Sequence, residues 1–200
     1  MPQTVIFDLG GVLIDWNPRY LYRKLFEDEA KMEHFLRVIC TPAWNEQQDA
    51  GRPIAEAVAE LTAQWPEQRA LIKAFYGRWT EMLGGVIEET VEVLAALRQR
   101  STPLYALTNW SAETFPHVEN EYDFLTWFKG IVVSGREKMK KPDHRIYHVL
   151  LDRYGLNAAD TVFIDDNAVN IAAAREIGLH GLPFSTAQTL RGDLEGLGLL

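Results

Sequence analysis

The chain has 200 residues with a single cysteine, 47% hydrophobic and 24% charged residues, and a formal net charge of −8 at pH 7. This length suits one compact α/β domain or a core with a small insert, large enough to bury its own core without disulfides or a structural metal. The acidic balance argues against broad nucleic-acid binding, which needs a basic face. The lone Cys40 reads as a small buried hydrophobe and suits a reducing cytosol. No apolar run reaches the roughly 18 residues of a membrane span. The start, Met1-Pro2-Gln3-Thr4, lacks signal-peptide features, so a cytoplasmic location is expected.

The first element is Thr4-Val5-Ile6-Phe7-Asp8, a β-branched and aromatic run cut off by Gly10-Gly11. It predicts a buried strand ending in a sharp loop. From about 17 to 83 the pattern is helical throughout, with amphipathic stretches at 18–28, 29–39, 53–64 and 67–82 and breaks at Thr41-Pro42, Gly51-Arg52-Pro53 and Trp65-Pro66. Gly84-Gly85 closes the stretch as a hinge. Beyond it, apolar runs at 103–108, 130–133, 161–165 and 180–183 predict further strands, and helical spacing at 87–100, 143–154 and 168–177 fills the gaps, with Gly178 as a stop. Strands apolar on both faces and alternating with helices imply an α/β fold with a doubly wound, Rossmann-like parallel sheet. The domain reading is a core of 1–16 and 84–200 with an inserted all-helical cap at 17–83.

Three of these strands end in Asp8, Thr108 and Asp165, and Ser134 follows the remaining inner one. In an open parallel sheet the ligand crevice lies beyond the strands' carboxyl ends. Asp8, Thr108 and Asp165-Asp166 therefore converge, although they are far apart in the chain. Carboxylates gathered this way suit a hard divalent cation such as Mg²⁺. Alternatively, Asp165-Asp166-Asn167 caps the following helix.

Four patches, Phe7-Asp8-Leu9-Gly10-Gly11-Val12-Leu13, Leu107-Thr108-Asn109, Lys141-Pro142 with Ile146-Tyr147, and Val162-Phe163-Ile164-Asp165-Asp166-Asn167, carry a resemblance that covers essentially the whole chain. In order and spacing they are similar to the haloacid dehalogenase-like (HAD) hydrolases with the helical cap of the first subclass, and most of all to their bacterial sugar-phosphate phosphatases and the phosphatase domain of soluble epoxide hydrolase. The resemblance implies Asp8 as nucleophile, forming an aspartyl-phosphate. It implies Thr108 and the Asn109 backbone as holders of the phosphoryl oxygens, and Lys141 as the cation between nucleophile and phosphate. Mg²⁺ would be held by Asp8, the Gly10 carbonyl, Asp166 and, directly or through water, Asp165. Asn170 stands where many relatives carry a further acid. The implied activity is Mg²⁺-dependent hydrolysis of a small phosphorylated metabolite by a monomer or homodimer, with no nucleic-acid or membrane partner.

One position departs from that pattern. Most phosphatases of the family carry an Asp two residues after the nucleophile as general acid and base, and here Gly10 stands there. Losing that proton donor costs about 10²–10⁴ in rate. Either the leaving group is good, or another acid, such as Asp15, Glu46 or Asp49, replaces it, or the chain is a 2-haloacid dehalogenase, which needs neither proton nor metal. A non-catalytic phosphate-binding protein is the remaining alternative. Candidate substrate contacts from the cap are Trp16, Asn17, Arg19, Trp44, Asn45 and Arg52. Each Trp could instead pack between helices, and Arg52 could pair with Asp49.

Overall fold

A computed structural model describes residues 2–200. Five parallel strands form the central sheet in the order β5-β4-β1-β6-β7: β1 Thr4–Phe7, β4 Leu104–Thr108, β5 Gly130–Val133, β6 Thr161–Asp165 and β7 His180–Pro183. Side chains alternate across it. Val5, Phe7, Ala106 and Ile164 enter one core, while Ile6, Leu107 and Phe163 enter the other. The first core is covered by α6 (Glu88–Gln99) and α11 (Ala187–Gly196), through Val93, Leu94, Leu97, Leu190 and Leu194. The second is covered by α9 (His144–Tyr154) and α10 (Ala168–Glu176), through Ile146, Tyr147, Leu150, Ile171 and Ala174. These layers bear out the doubly wound α/β reading. The strand order reverses between β1 and β6, and a crevice opens at such a switch point.

Between the first two sheet strands the chain builds helices: α1 (Arg19–Tyr22), α2 (Glu29–Val38), α3 (Pro42–Asp49), α4 (Ile54–Gln64) and α5 (Arg69–Gly77). They share an aromatic core in which the Tyr22 and Phe35 rings lie 5.0 Å apart and Trp44 meets Phe75 edge-on at 5.3 Å. Short helices α7 (Pro116–Glu119) and α8 (Ser134–Glu137) follow β4 and β5. No helix among the described residues is long and apolar enough to cross a membrane.

Several elements differ from the sequence reading. Gly84-Gly85 is not an unpaired hinge but part of β3 (Leu83–Val86), which pairs antiparallel with β2 (Ile14–Trp16). Glycine carries no strand signal. It is required here because a Cβ at Gly84 would meet Asp15 Oδ2 at 2.0 Å. Thr41-Pro42 begins a helix rather than merely ending one: the Thr41 hydroxyl accepts from the Trp44 N–H at 3.1 Å and Pro42 fills the first turn. The amphipathic stretch at 18–28 yields only the single turn of α1, and 67–82 divides into two 3₁₀ turns flanking α5.

At the start of α8 the Gly135 N–H donates to the Trp110 carbonyl at 3.0 Å, and a Cβ there would lie 2.3 Å from the Ala112 backbone nitrogen. Both neighbours are backbone and cannot rotate away. Gly135→Ala is expected to cost about 1–3 kcal/mol, read as a lower urea midpoint at unchanged slope.

Candidate active site

Strand register aligns the first part of the site. Phe7 pairs with Ala106 on one side and Ile164 on the other, so the next residues in each strand, Leu107, Asp8 and Asp165, stand abreast. Lys141 reaches this row from the loop between α8 and α9, with a fully buried side chain. Its Nζ lies 2.9 Å from Asp8 Oδ2 and 2.7 Å from Asp165 Oδ2, and it donates to the Leu107 carbonyl at 2.9 Å. All three ammonium protons therefore have acceptors. Asn109 clamps the lysine backbone, its Oδ1 accepting from the Lys141 N–H at 2.8 Å and its Nδ2 donating to the Lys141 carbonyl at 3.0 Å. The Asn109 side chain thus positions Lys141, although the residue also lines the crevice.

Asp165 is fully buried and its carboxylate is saturated. Beside Lys141 it accepts from the Asn167 N–H at 2.8 Å and from Asn170 Nδ2 at 3.0 and 3.1 Å. Asn170, standing where many relatives carry a further acid, serves Asp165. The cap of α10 is Asn167, whose side chain accepts from the Val169 N–H at 2.9 Å. Helix capping therefore leaves the Asp166 side chain free.

The turn after β1 lies against Asp166. Leu9 carries the turn, its carbonyl accepting from the Leu13 and Ile14 N–H groups at 2.8 and 2.9 Å. Gly11 sits at φ +74°, and a Cβ there would come within 2.5 Å of Asp166 Oδ2, so glycine serves both the backbone and the carboxylate. One oxygen from each of Asp8, Asp165 and Asp166 lies within 4.8 Å of the others. Three carboxylates face one buried ammonium. Burial pushes the Asp8 carboxyl up to about 7, with Lys141 pulling the other way and Asp165 adding to the rise. Burial alone would lower Lys141, but Asp8 and Asp165 outweigh it and hold the ammonium above its ordinary range. This excess of negative charge, on two buried carboxylates and an exposed third with only hard oxygen donors, fits a divalent cation. The Thr108 hydroxyl is buried beside this row without a hydrogen-bond partner, an orphan that a bound oxyanion would satisfy.

Two connected spaces lie above these groups. A cleft of about 880 Å³ is lined by Asp8, Lys141 and Asp166 below and by Trp16, Asn17 and Arg19 from the start of the helical insert. A chamber of about 260 Å³ sits over Gly10 and Gly11, walled by Trp16, Tyr76, Trp79 and Trp110. Asn45 and Asp49 on α3 face both spaces. Two sequence candidates are elsewhere. Trp44 is buried between α3 and α5 against Phe75 and Tyr76, so packing takes its ring. Arg52 pairs with Glu60 and donates to Gln47 at 2.7 Å, not with Asp49, and lines neither space. Sequence reasoning missed Tyr76, Trp79 and Trp110 as chamber walls. Only the adjacency of Trp110 to Thr108-Asn109 could have signalled it.

Replacing Lys141 by Met keeps the stem and removes the charge. It strands two buried carboxylates, so Lys141→Met is expected to lose about 3–5 kcal/mol of stability, measurable by denaturant titration. A loss within 1 kcal/mol would mean that the row of strand ends does not depend on this ammonium.

Comparison with known proteins agrees with this geometry. The family model for haloacid dehalogenase-like hydrolases matches residues 2–178. A sesquiterpene phosphatase of Aspergillus oryzae is 27% identical over 90% of this chain and 88% of its own. A phosphoglycolate phosphatase of Photobacterium profundum is 28% identical over 89% of this chain and 81% of its own. A HAD family enzyme of Bacteroides thetaiotaomicron, solved in complex with magnesium and inorganic phosphate, superposes with a TM-score of 0.67 at 21% identity over 92% of this chain and 95% of that one, which shows the shared fold. With the family match running from the first strand through the turn after α10, this chain is an enzyme of the haloacid dehalogenase-like hydrolase family.

Proposed function

We propose that the enzyme is a Mg²⁺-dependent phosphatase that hydrolyses small, sugar-phosphate-like monoesters through an aspartyl-phosphate on Asp8. The observation that carries this reading is the trio Asp8, Asp165 and Asp166 set against the single ammonium of Lys141. A dehalogenase would have no use for that surplus of carboxylates. The phosphatases among the relatives support the same choice.

Asp8 Oδ attacks phosphorus, the bond to the leaving oxygen breaks, and the phosphoryl group resides on Asp8 until water removes it. Lys141 offsets charge between the nucleophile and the incoming dianion, and the Thr108 hydroxyl donates to a phosphoryl oxygen. Asp8, the Gly10 carbonyl and Asp166 would hold Mg²⁺, with Asp165, already saturated by Lys141 and Asn170, behind them through water; the cation would neutralise the phosphoryl oxygens and restore the ionised form of Asp8. Residues 17–83 act as the cap over a core of 1–16 and 84–200, and exclude water from the crevice. The indole and phenol walls of the chamber suit a leaving group with carbon faces, such as a sugar ring.

Purified enzyme is expected to release phosphate from aryl and sugar phosphates with Mg²⁺, and to lose this on chelation and in Asp8→Asn. A panel of phosphates and 2-haloacids, each with and without EDTA, checks it. Metal-independent halide release without phosphate release would replace this reading by the dehalogenase.

A further inference from the structure

The phosphatase reading leaves the leaving-group proton without a donor, because Gly10 occupies the usual position of the acid. A Cβ built on Gly10 meets nothing within 4 Å, so the space an acidic side chain would enter from below is open. Four acids of the insert and its ribbon, Asp15, Glu33, Glu46 and Asp49, are candidates to enter it from above. Asp15 is bonded to the Tyr20 hydroxyl at 2.5 Å and lines neither space. Glu33 is held by Arg19 at 2.5 Å, and Glu46 by Lys140 at 3.1 Å. The hydrogen bond from Arg19 holds the Glu33 carboxyl below its ordinary range, and Glu46 is taken up by its ion pair. Asp49 lines the chamber together with Gly10, and the cleft together with Asp8. Its carboxyl accepts from neutral groups, the Asn45 amide at 3.2 Å and the Ser111 backbone N–H.

We infer that Asp49, delivered by α3, is the general acid and base that stands in for the missing residue at position 10. This inference rests on the phosphatase reading. As Asp8 bonds to phosphorus, the electron pair of the breaking P–O bond passes to the leaving oxygen, which takes the Asp49 proton and departs as the alcohol. The Asp49 carboxylate then takes a proton from the water whose oxygen attacks the aspartyl-phosphate. Inorganic phosphate leaves, Asp8 is again a carboxylate and Asp49 is again protonated.

The environment of Asp49 favours this cycle. Burial pushes its carboxyl up to about 7, Glu46 on the same helix adds to the rise, and Lys140 opposes it. Tyr76 across the chamber is itself held above its ordinary range by burial, with Asp49 and Glu113 contributing, and so stays neutral. An acid near neutrality is well matched to a donor that must be reloaded each turnover. Its placement is also fixed. The Asp49 carbonyl accepts from the Ser134 hydroxyl at 2.5 Å, and that hydroxyl accepts in turn from the Trp110 N–H at 2.9 Å, tying the end of α3 to the core.

The test is the leaving-group dependence of Asp49→Asn, an isosteric change. For an alkyl phosphate, kcat/KM is expected to fall about 10²–10⁴-fold. For dinitrophenyl phosphate, whose leaving group needs no proton, the first turnover should keep its wild-type rate and appear as a burst of one phenolate per enzyme, followed by slow dephosphorylation. In the wild type, kcat/KM for the alkyl ester should decline above about pH 7, and Asp49→Asn should abolish that limb. Adding Gly10→Asp to Asp49→Asn should recover alkyl-ester activity. Equal loss of the alkyl reaction and the phenolate burst, or no loss on the alkyl ester, would overturn the assignment of Asp49 while leaving the phosphatase reading intact. A wild type that releases phosphate from neither ester would overturn both.

Discussion

One buried ammonium organises the catalytic end of this molecule. Lys141 Nζ touches the last row of three adjacent strands at once: the Leu107 carbonyl of β4, the Asp8 carboxylate after β1 and the Asp165 carboxylate of β6. Two acids could not be buried side by side at the ends of neighbouring strands without such a charge, because each would lose its hydration with nothing in return. The rest of the site serves to keep that ammonium in place. Asn109 grips its backbone, and Asn170 and the Asn167 N–H fill the remaining lone pairs of Asp165. Asp8 keeps one oxygen on Lys141 and one on its neighbour's N–H, Leu9 at 2.7 Å. Asp8, the proposed nucleophile, is thereby held by the ammonium on one oxygen and by its neighbour's backbone on the other.

The sheet and much of this row are legible in the sequence because they obey local rules. Each strand is a short apolar run, and in a parallel sheet with register fixed by burial the residues just past those runs must meet. That logic brings Asp8, Thr108 and Asp165-Asp166 together from segments distant along the chain. It fails where the deciding fact is which way a helix face turns. Trp44 and Asn45 are adjacent in α3, yet the first packs against Phe75 and the second faces the crevice. Four residues further along the same helix, Asp49 faces the crevice too, one turn from Asn45. Reading Thr41-Pro42 as a break, with no helix assigned between 39 and 53, hid α3 and with it the face. Arg52 shows the opposite error: a cation near the crevice in sequence is consumed by Glu60 and Gln47 on the surface. The β2–β3 ribbon escaped notice because half of β3 is Gly-Gly, Gly84 leaving space to Asp15 and Gly85 taking φ +102°, neither chosen for strand propensity.

The arrangement also separates two demands that many sites place on a single loop. The floor, made of strand ends and their asparagine clamps, is rigid and carries charge. The walls, made of Trp16, Tyr76, Trp79 and Trp110, carry shape, and two of them offer indole N–H groups that are buried without partners. Such orphaned donors favour a ligand that brings acceptors along with its carbon faces. In the proposed phosphatase, charge recognition of the phosphoryl group and shape recognition of what it is attached to would therefore rest on different parts of the chain.

The ribbon has a mechanical meaning of its own. Both passages of the chain between sheet and helical insert run through β2 and β3, which are hydrogen-bonded to each other and continued by Asn17 N–H to Met82 carbonyl and Ile87 N–H to Leu13 carbonyl, at 2.8 and 2.9 Å. Two paired strands cannot lengthen independently. They bend or twist together, so a movement of the insert would have the ribbon as its axis. Trp16 stands on that axis and in the chamber wall at once. Any displacement of the insert would therefore carry a wall of the chamber with it, so that the ribbon's bending stiffness and the shape of the chamber are one mechanical property.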